Sequence, residues 1–413
     1  MISDIPILSV IKTVQKGIFM SKNNTKTGKK IARDKVASWL FIMPTMIFLA
    51  ITALFPLLYS VYLSFFRLKL NLPKAVPQFI FLGNYIRMFT DKMLLTSTVN
   101  TIIFAVFSVA LELVIGLALA MALCSDKMWA RICTSICLIP MIMAPVAVGT
   151  LWRMMLDSST GVINYFLGFL GIPSITWLSS TKTAMLSVIM VNVWQLAPWV
   201  SIICAAGLKS LPSDCLEAAT VDGASNGQIF RKIVLPLMSP VLTVVVMLRF
   251  VDAFKVFDTV YVMTNGGPGS ATEMLPNYIY KQGLKLFDAG YSASLAIMFV
   301  VLMTVVTAFF LRLRDKMKKK LAHTDSIIGN FAGRPTRIII IILSMLFIVF
   351  PLYWLLISSF KVKADYLAYP PIIFPTRWST ESYVEVLNKD KLLSNFINTF
   401  VVAAVSTFLS VLF

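Results

Sequence analysis

Residues 217–236 read EAATVDGASNGQIFRKIVLP, a polar, charge-bearing segment set between two long apolar runs, 183–206 and 237–264. Working outward, six further apolar stretches appear, near 37–65, 98–124, 132–152, 291–311, 338–359 and 397–413. Most reach the ~20 residues that carry a helix across a ~30 Å hydrocarbon core. Inside lipid every backbone N–H and C=O must be paired within the protein, so only helices or closed barrels cross it. These runs lack the two-residue alternation of barrel strands, so helices are expected. A hydrophobic fraction of 58% and a mean hydropathy of +0.82 exclude a soluble globular chain. The expected fold class is an all-α polytopic integral membrane protein, a six-helix bundle plus about two helices of a second, related unit.

The net charge of +18 raises the question of nucleic acid, and its distribution answers it. Alternating spans place 1–36, 125–131, 207–236 and 312–337 on one side. Those segments hold 21 of the 37 Lys and Arg. By the positive-inside rule that side, with the N-terminus, is cytoplasmic. The basic excess reads as a topology signal, helped by anionic headgroups, and no nucleic-acid partner is expected. The stretch before Lys12 and Lys16 has no apolar run long enough for a cleavable signal peptide. Cys124, Cys133, Cys137, Cys204 and Cys215 fall in or near the cytoplasmic half, where small apolar packing residues are expected rather than disulfides.

An internal repeat organises the chain. Phe55-Pro56-Leu57-Leu58-Tyr59 returns as Phe350-Pro351-Leu352-Tyr353-Trp354, and Ser64-Phe65-Phe66-Arg67 loosely as Ser358-Ser359-Phe360-Lys361. Tyr85 returns as Tyr383 and Asn100-Thr101 as Asn398-Thr399. The expected domains are a cytoplasmic tail (1–36), a six-helix unit (37–312) with a polar loop at 207–236, a basic cytoplasmic linker (313–336) and an incomplete second unit (337–413). The expectation is a truncated tandem.

Within the loop, Ser213 is a plausible N-cap for a helix over 214–221 with Leu216, Ala219 and Thr220 on one face and Glu217 exposed beside it. Gly223 permits a sharp turn, Ser225 and Gln228 have capping-box spacing, and Pro236 ends the second helix or begins the next span. A helix–turn–helix projection results, suited to docking a partner.

That spacing, Glu217-Ala218-Ala219, then Gly223, Ile233 and Leu235-Pro236, resembles the EAA loop of bacterial ABC importer permeases. Residues 37–312 resemble the sugar-type permeases of the maltose, multiple-sugar and glycerol-3-phosphate systems. Asn84-Tyr85, Asn100-Thr101 and Thr264-Asn265-Gly266-Gly267-Pro268 support this, and 338–413 resemble the start of the companion permease. The resemblance implies an ATPase-coupling set of Glu217, Ala218, Ala219, Asp222, Gly223, Ala224, Ile233, Leu235 and Pro236. It also implies a substrate path near Asn192, Gln195 and Trp199 before the loop and Phe254, Lys255 and Asp258 after it. The implied partners are two ABC ATPase subunits, which carry ATP and Mg, a companion permease and an extracytoplasmic solute-binding protein. The implied setting is the bacterial plasma membrane and its lipid bilayer.

Arg249, Asp252, Lys255 and Asp258 alternate in sign every three residues, which predicts a stripe on one face of the fifth helix. Such groups either pair among themselves or wall a wet path. For Glu112, three readings stand: an interface group, a partner of Arg153, or a protonated packing residue. No G-x-x-x-x-G-K-[ST] loop occurs, and the single histidine is His323. No catalytic residue, resident cofactor or metal is therefore expected, and the chain must borrow its energy. The function expected is ATP-driven inward movement of a sugar or oligosaccharide. The alternatives are an ion-gradient-coupled transporter using the charged fifth helix, a polytopic membrane enzyme, disfavoured for want of a catalytic cluster, and a non-transporting fragment.

Overall fold

The computed structural model describes residues 42–71, 76–124, 127–211, 213–320, 334–362, 365–366, 368–375, 377–388 and 392–412. The tail 1–36, most of the linker and Pro212 lie outside them, as do the side chains of Ser213, Asp214 and Leu216.

The spanning helices follow the apolar runs. They are α1 (Ile42–Ser64), α3 (Lys92–Leu123), the pair α4 (Met128–Ile142) and α5 (Pro145–Met155), α7 (Ala184–Lys209), α9 (Asn226–Phe254), α12 (Ala289–Lys320), α13 (Arg334–Ser359) and α15 (Leu392–Leu412). Between them sit β1 (Phe66–Arg67), β2 (Gln78–Phe79), α2 (Gly83–Thr90), α6 (Val162–Phe169), α8 (Ser213–Val221), α10 (Asp258–Met263), α11 (Leu275–Tyr280) and α14 (Glu381–Asn388). The run 132–152 is not a straight span: α4 and α5 meet at 96°. Met143 and Ala144 are extended, and Pro145 follows. Proline clashes with a helical preceding residue and suits a first helical position, so the chain breaks there. The fifth run also stops early, because Lys255 caps α9 and a new helix begins at Asp258.

Two compact units divide the chain, one of residues 1–60 with 389–413 and one of Val61–Asn388. In the first, the apolar windows of α1 and α15 bury none of their residues. The second holds the six-span bundle's core together with α13 and α14. Its centre is the long contact of α3 with α7. There Gly116 lets the backbones approach: a Cβ on it would lie 2.6 Å from Val200 Cγ1 and 3.0 Å from the Ala197 carbonyl. Small residues at such crossings are how helices associate where lipid is as apolar as leucine. Around this contact Trp152 and Trp194 meet edge to face at 5.5 Å, among Phe104, Val188 and Phe254. Cys124, Cys137 and Cys204 are buried and unbridged.

A charged tie joins α3 to α9. Arg249 Nε donates to Glu112 Oε2 at 2.7 Å, and both side chains are almost wholly buried. Asn192 of α7 donates to the other carboxylate oxygen at 2.7 Å. Arg153, one reading for this partner, instead donates to the Val262 carbonyl at 3.2 Å.

At the end of the bundle opposite 207–236, the segments 66–97 and 265–290 interlock. Asp91 accepts from Tyr278 Oη at 2.6 Å and Tyr291 Oη at 2.5 Å, while Arg87 pairs with Asp288 at 2.8 Å. Burial alone would raise the Asp91 carboxyl, but the two tyrosine hydroxyls and the Leu94 and Met93 amides outweigh it and hold it below its ordinary range. Gly266, at φ +86°, sits where a Cβ would strike the Glu273 carboxylate, so only glycine fits that turn.

The repeat is visible as geometry. Ser64 Oγ and Tyr85 Oη lie 2.8 Å apart, and Tyr383 Oη donates to Ser359 Oγ at 2.8 Å. A serine–tyrosine hydrogen bond thus recurs at the end of α1 and at the end of α13, one residue out of the sequence register, which aligns Ser64 with Ser358. α13 packs on α3, α4 and α5 through Ile348, Phe350 and Trp354.

Two substitutions test this packing. Gly116→Ala should force α3 from α7 and cost about 1–3 kcal/mol, read as a lowered melting temperature in detergent. Arg249→Met should cost about 3–5 kcal/mol by stranding Glu112. Adding Glu112→Gln should restore most of that loss, which distinguishes a stranded charge from lost volume.

Candidate functional site

Two places carry the polar chemistry, and one helix joins them. The first is the turn between α8 and α9. Gly223 has φ +76°, with open space around any added Cβ, so its role is conformational. The Ala224 N–H donates to the Ala219 carbonyl at 2.9 Å and closes α8. Ser225 and Gln228 form the expected capping box, with the Ser225 N–H on Gln228 Oε1 at 2.8 Å. The turn is held from one side only. Ala219, Ala224 and Ile233 pack partly against Val200, Cys204, Leu208 and Met238, and Leu235 is half-buried. Glu217, Ala218, Asp222, Gly223 and Pro236 face outward, and Val221 is 88% exposed. The result is a knuckle: a firmly seated base under an exposed crest.

Pro236 stands in the first turn of the α-helical part of the span, Leu235–Phe254. The chain runs from Asn226 through a five-residue π-helical stretch, Phe230–Val234, straight into the span. The wider π turn is one way to absorb a residue the α ladder cannot pair, and proline brings no N–H.

The second place is the far end of α9. A cavity of about 270 Å³ is lined by Asn192, Gln195, Arg249, Asp252, Lys255 and Asp258, with Met143 and Pro145 of the broken span. Asp252 lies between two cations, 3.3 Å from Arg249 Nη1 and 3.3 Å from Lys255 Nζ. Its side chain and that of Lys255 are half exposed, whereas Arg249 is buried. Asp258 starts α10 beyond the break, so three of the four charges form a ladder and the fourth stands apart. Gln195 Nε2 donates to the Met143 carbonyl at 3.2 Å, pairing a backbone group where the 96° bend interrupts the helical ladder.

Four residues of the expected path, Asn192, Gln195, Lys255 and Asp258, thus line one cavity. Phe254 is instead 3% exposed in the hydrophobic core. Trp199 packs against the cluster beneath the knuckle, its ring 5.9 Å from the Arg249 guanidinium. Sequence reasoning named only Arg153 as a partner for Glu112 and gave Arg249 to the charged stripe of its own helix. The signal for their pairing was an acid and an arginine in separate apolar spans, each costly to bury alone. The arrangement can hold a polar solute by amide, carboxylate and ammonium groups at a break in the bundle.

Residues 112–319 match the family described as binding-protein-dependent transport system inner membrane component. A probable ABC transporter permease protein of Sinorhizobium fredii is 33% identical over 301 residues, 73% of this chain and 95% of that protein. The trehalose/maltose transport system permease protein MalF of Thermococcus litoralis is 31% identical over 70% of this chain and 97% of its own length. Among solved structures, a chain of the bacterial alginate ABC transporter in complex with its alginate pentasaccharide-bound periplasmic protein shares the fold. It has a TM-score of 0.60 and 22% identity, covering 72% of this chain and 98% of that one. The family match runs from the middle of α3 to the end of α12, through both the knuckle and the cavity. This chain therefore belongs to the inner-membrane components of binding-protein-dependent transport systems, the multi-pass permease subunits of ABC transporters.

Proposed function

We propose that the chain moves a sugar or oligosaccharide inward, driven by separate ATPase subunits that dock on 207–236. The observation that carries this is the continuity of α9. Its N-terminal end adjoins the knuckle and its C-terminal part holds Arg249 and Asp252 at the cavity, in one helix of 29 residues, ~43 Å at 1.5 Å per residue. A push on the crest reaches the cavity as a rigid movement. Glu217 offers a carboxylate to a basic group of the ATPase, and Ala218, Ala219, Gly223 and Ala224 allow close approach. The ATPases bind ATP and Mg; this chain's contribution is to bind them differently in two states and so shift its own equilibrium.

The cavity suits carbohydrate, since Asn192, Gln195 and the Asp252–Lys255 pair offer donors and acceptors for hydroxyls. The name of the trehalose/maltose relative supports that class. The interlocked segments 66–97 and 265–290 are the surface for an extracytoplasmic binding protein, a partner of the kind named for the alginate system. The N-terminus and knuckle face the cytoplasm in this reading. Residues 337–413 are the start of a companion permease, supported by the hydrogen bond repeated at Ser64–Tyr85 and Ser359–Tyr383. An ion-coupled relay is less well supported, because Asp252 is already flanked by two cations.

Co-expression with the ATPase, binding protein and full companion permease tests the reading. Glu217→Lys should cut ATPase retention or coupled ATP hydrolysis at least about tenfold, the weight of a charge-assisted contact, while membrane insertion persists. Unchanged ATP-dependent uptake would overturn the docking assignment. Lys255→Ala should leave ATPase retention intact and weaken solute-stimulated hydrolysis. Solute uptake from an ion gradient in vesicles without ATPase would instead establish the alternative.

A further inference from the structure

A second polar cavity, of about 360 Å³, lies between the ends of α5 and α13, lined by Thr150, Arg153, Trp354, Ser358, Lys361 and Tyr366, with Asp157 at its edge. It is separate from the cavity at the end of α9, with which it shares no lining residue. Its chief feature is Lys361, a lysine 2% exposed. The Nζ stands 3.9 Å above the Trp354 ring, and among the described residues no carboxylate lies within ion-pair distance. A buried ammonium is costly without an anionic partner, and a cation–π contact returns only part of that cost. Burial pushes the Lys361 amine below its ordinary range, with Asp365 opposing at longer reach.

Arg153 adds a second cation. One of its nitrogens is committed to the Val262 carbonyl, and a guanidinium has five donors. The acid at the edge does not neutralise the pair. Asp157 Oδ1 accepts the Ser159 and Thr160 amides and both their hydroxyls. That turn holds its carboxyl down to about 2, so it stays ionised and turned toward its own loop. Two cations against one occupied carboxylate leave the lining net positive, with Ser358 and Tyr366 supplying hydroxyls.

Depth argues for the occupant. Ser359 is the last helical residue of the spanning helix α13. Lys361 therefore sits just beyond the end of a span, at the headgroup layer, the level of lipid phosphates, and Arg153 lines the same cavity. We propose that this cavity is a phosphate-type oxyanion site, with Lys361 and Arg153 on the oxygens and Ser358 donating to them. Its source is the headgroup of an anionic lipid, seated where α13 meets the first bundle. Free inorganic phosphate has the same chemistry.

Native mass spectrometry of the full chain in non-ionic detergent tests this, titrating phosphatidylglycerol and, in parallel, phosphatidylcholine. One phosphatidylglycerol should be retained saturably, and phosphatidylcholine should bind at least about tenfold more weakly. Arg153→Gln and Lys361→Gln should each weaken retention about tenfold, the loss of one charge-assisted contact. Competition identifies the source: displacement by millimolar sodium phosphate assigns the site to the soluble ion, and resistance assigns it to lipid. Equal binding by both variants and the unaltered chain, or no saturable binding of either anion, overturns the proposal. Should Lys361→Gln lower the melting temperature sharply, Arg153→Gln, at an exposed side chain, decides alone.

Discussion

Arg249 and Glu112, 2.7 Å apart inside the bundle, cannot separate without leaving a bare charge among apolar side chains. Two spans 137 residues apart in sequence are thereby fixed in rotation and depth at once. Apolar helices in lipid have little else to set either quantity, since leucine is as comfortable against an acyl chain as against another leucine. Asn192 on the same carboxylate brings α7 into the tie. Three spans of the core are thus registered by one carboxylate with three donors on it. Gly116 lets α3 and α7 close, but the ion pair sets the register at which they do so.

The tie also explains why the cavity is where it is. Arg249 faces inward to Glu112 and sideways to Asp252. Asp252 passes the charge to Lys255, half exposed at the cavity. The pair is neutral in sum, so its polarity reaches the cavity only through the outer members of the ladder. The 96° break at Met143 and the end of α9 at Phe254 open the space they line. Each break exposes backbone carbonyls that straight helices would have paired, and Gln195 takes one. Polar side chains here serve the fold and the cavity together.

Much of this was legible in the sequence, and the reasons differ by element. The spans could be read because apolar runs of bilayer length have few other meanings. The knuckle could be read because its devices are local: Gly223 for a positive φ, Ser225 with Gln228 for a cap. The bend at Pro145 and the termination at Phe254 were hidden in the same runs, which stay apolar across both breaks. Phe254 and Trp199 were assigned by distance from motifs, and distance along a chain does not say which way a ring turns. The Arg249 partner of Glu112 needed the third dimension, since nothing nearby in sequence pairs them.

The two copies of the repeat sharpen that last point. α1 and α13 carry the same Phe-Pro-Leu stretch and each ends in a serine–tyrosine hydrogen bond. In α13, Ile348 and Trp354 are buried against the first bundle, yet only 17% of its apolar window is buried. Hydropathy runs along the whole helix and does not single out those positions. In a membrane the helix only has to be apolar. Which neighbour it meets is set by shape and by the few polar contacts at its ends, here Trp354 under Lys361. The polar residues of this chain therefore hold most of its structural information, although 58% of it is hydrophobic.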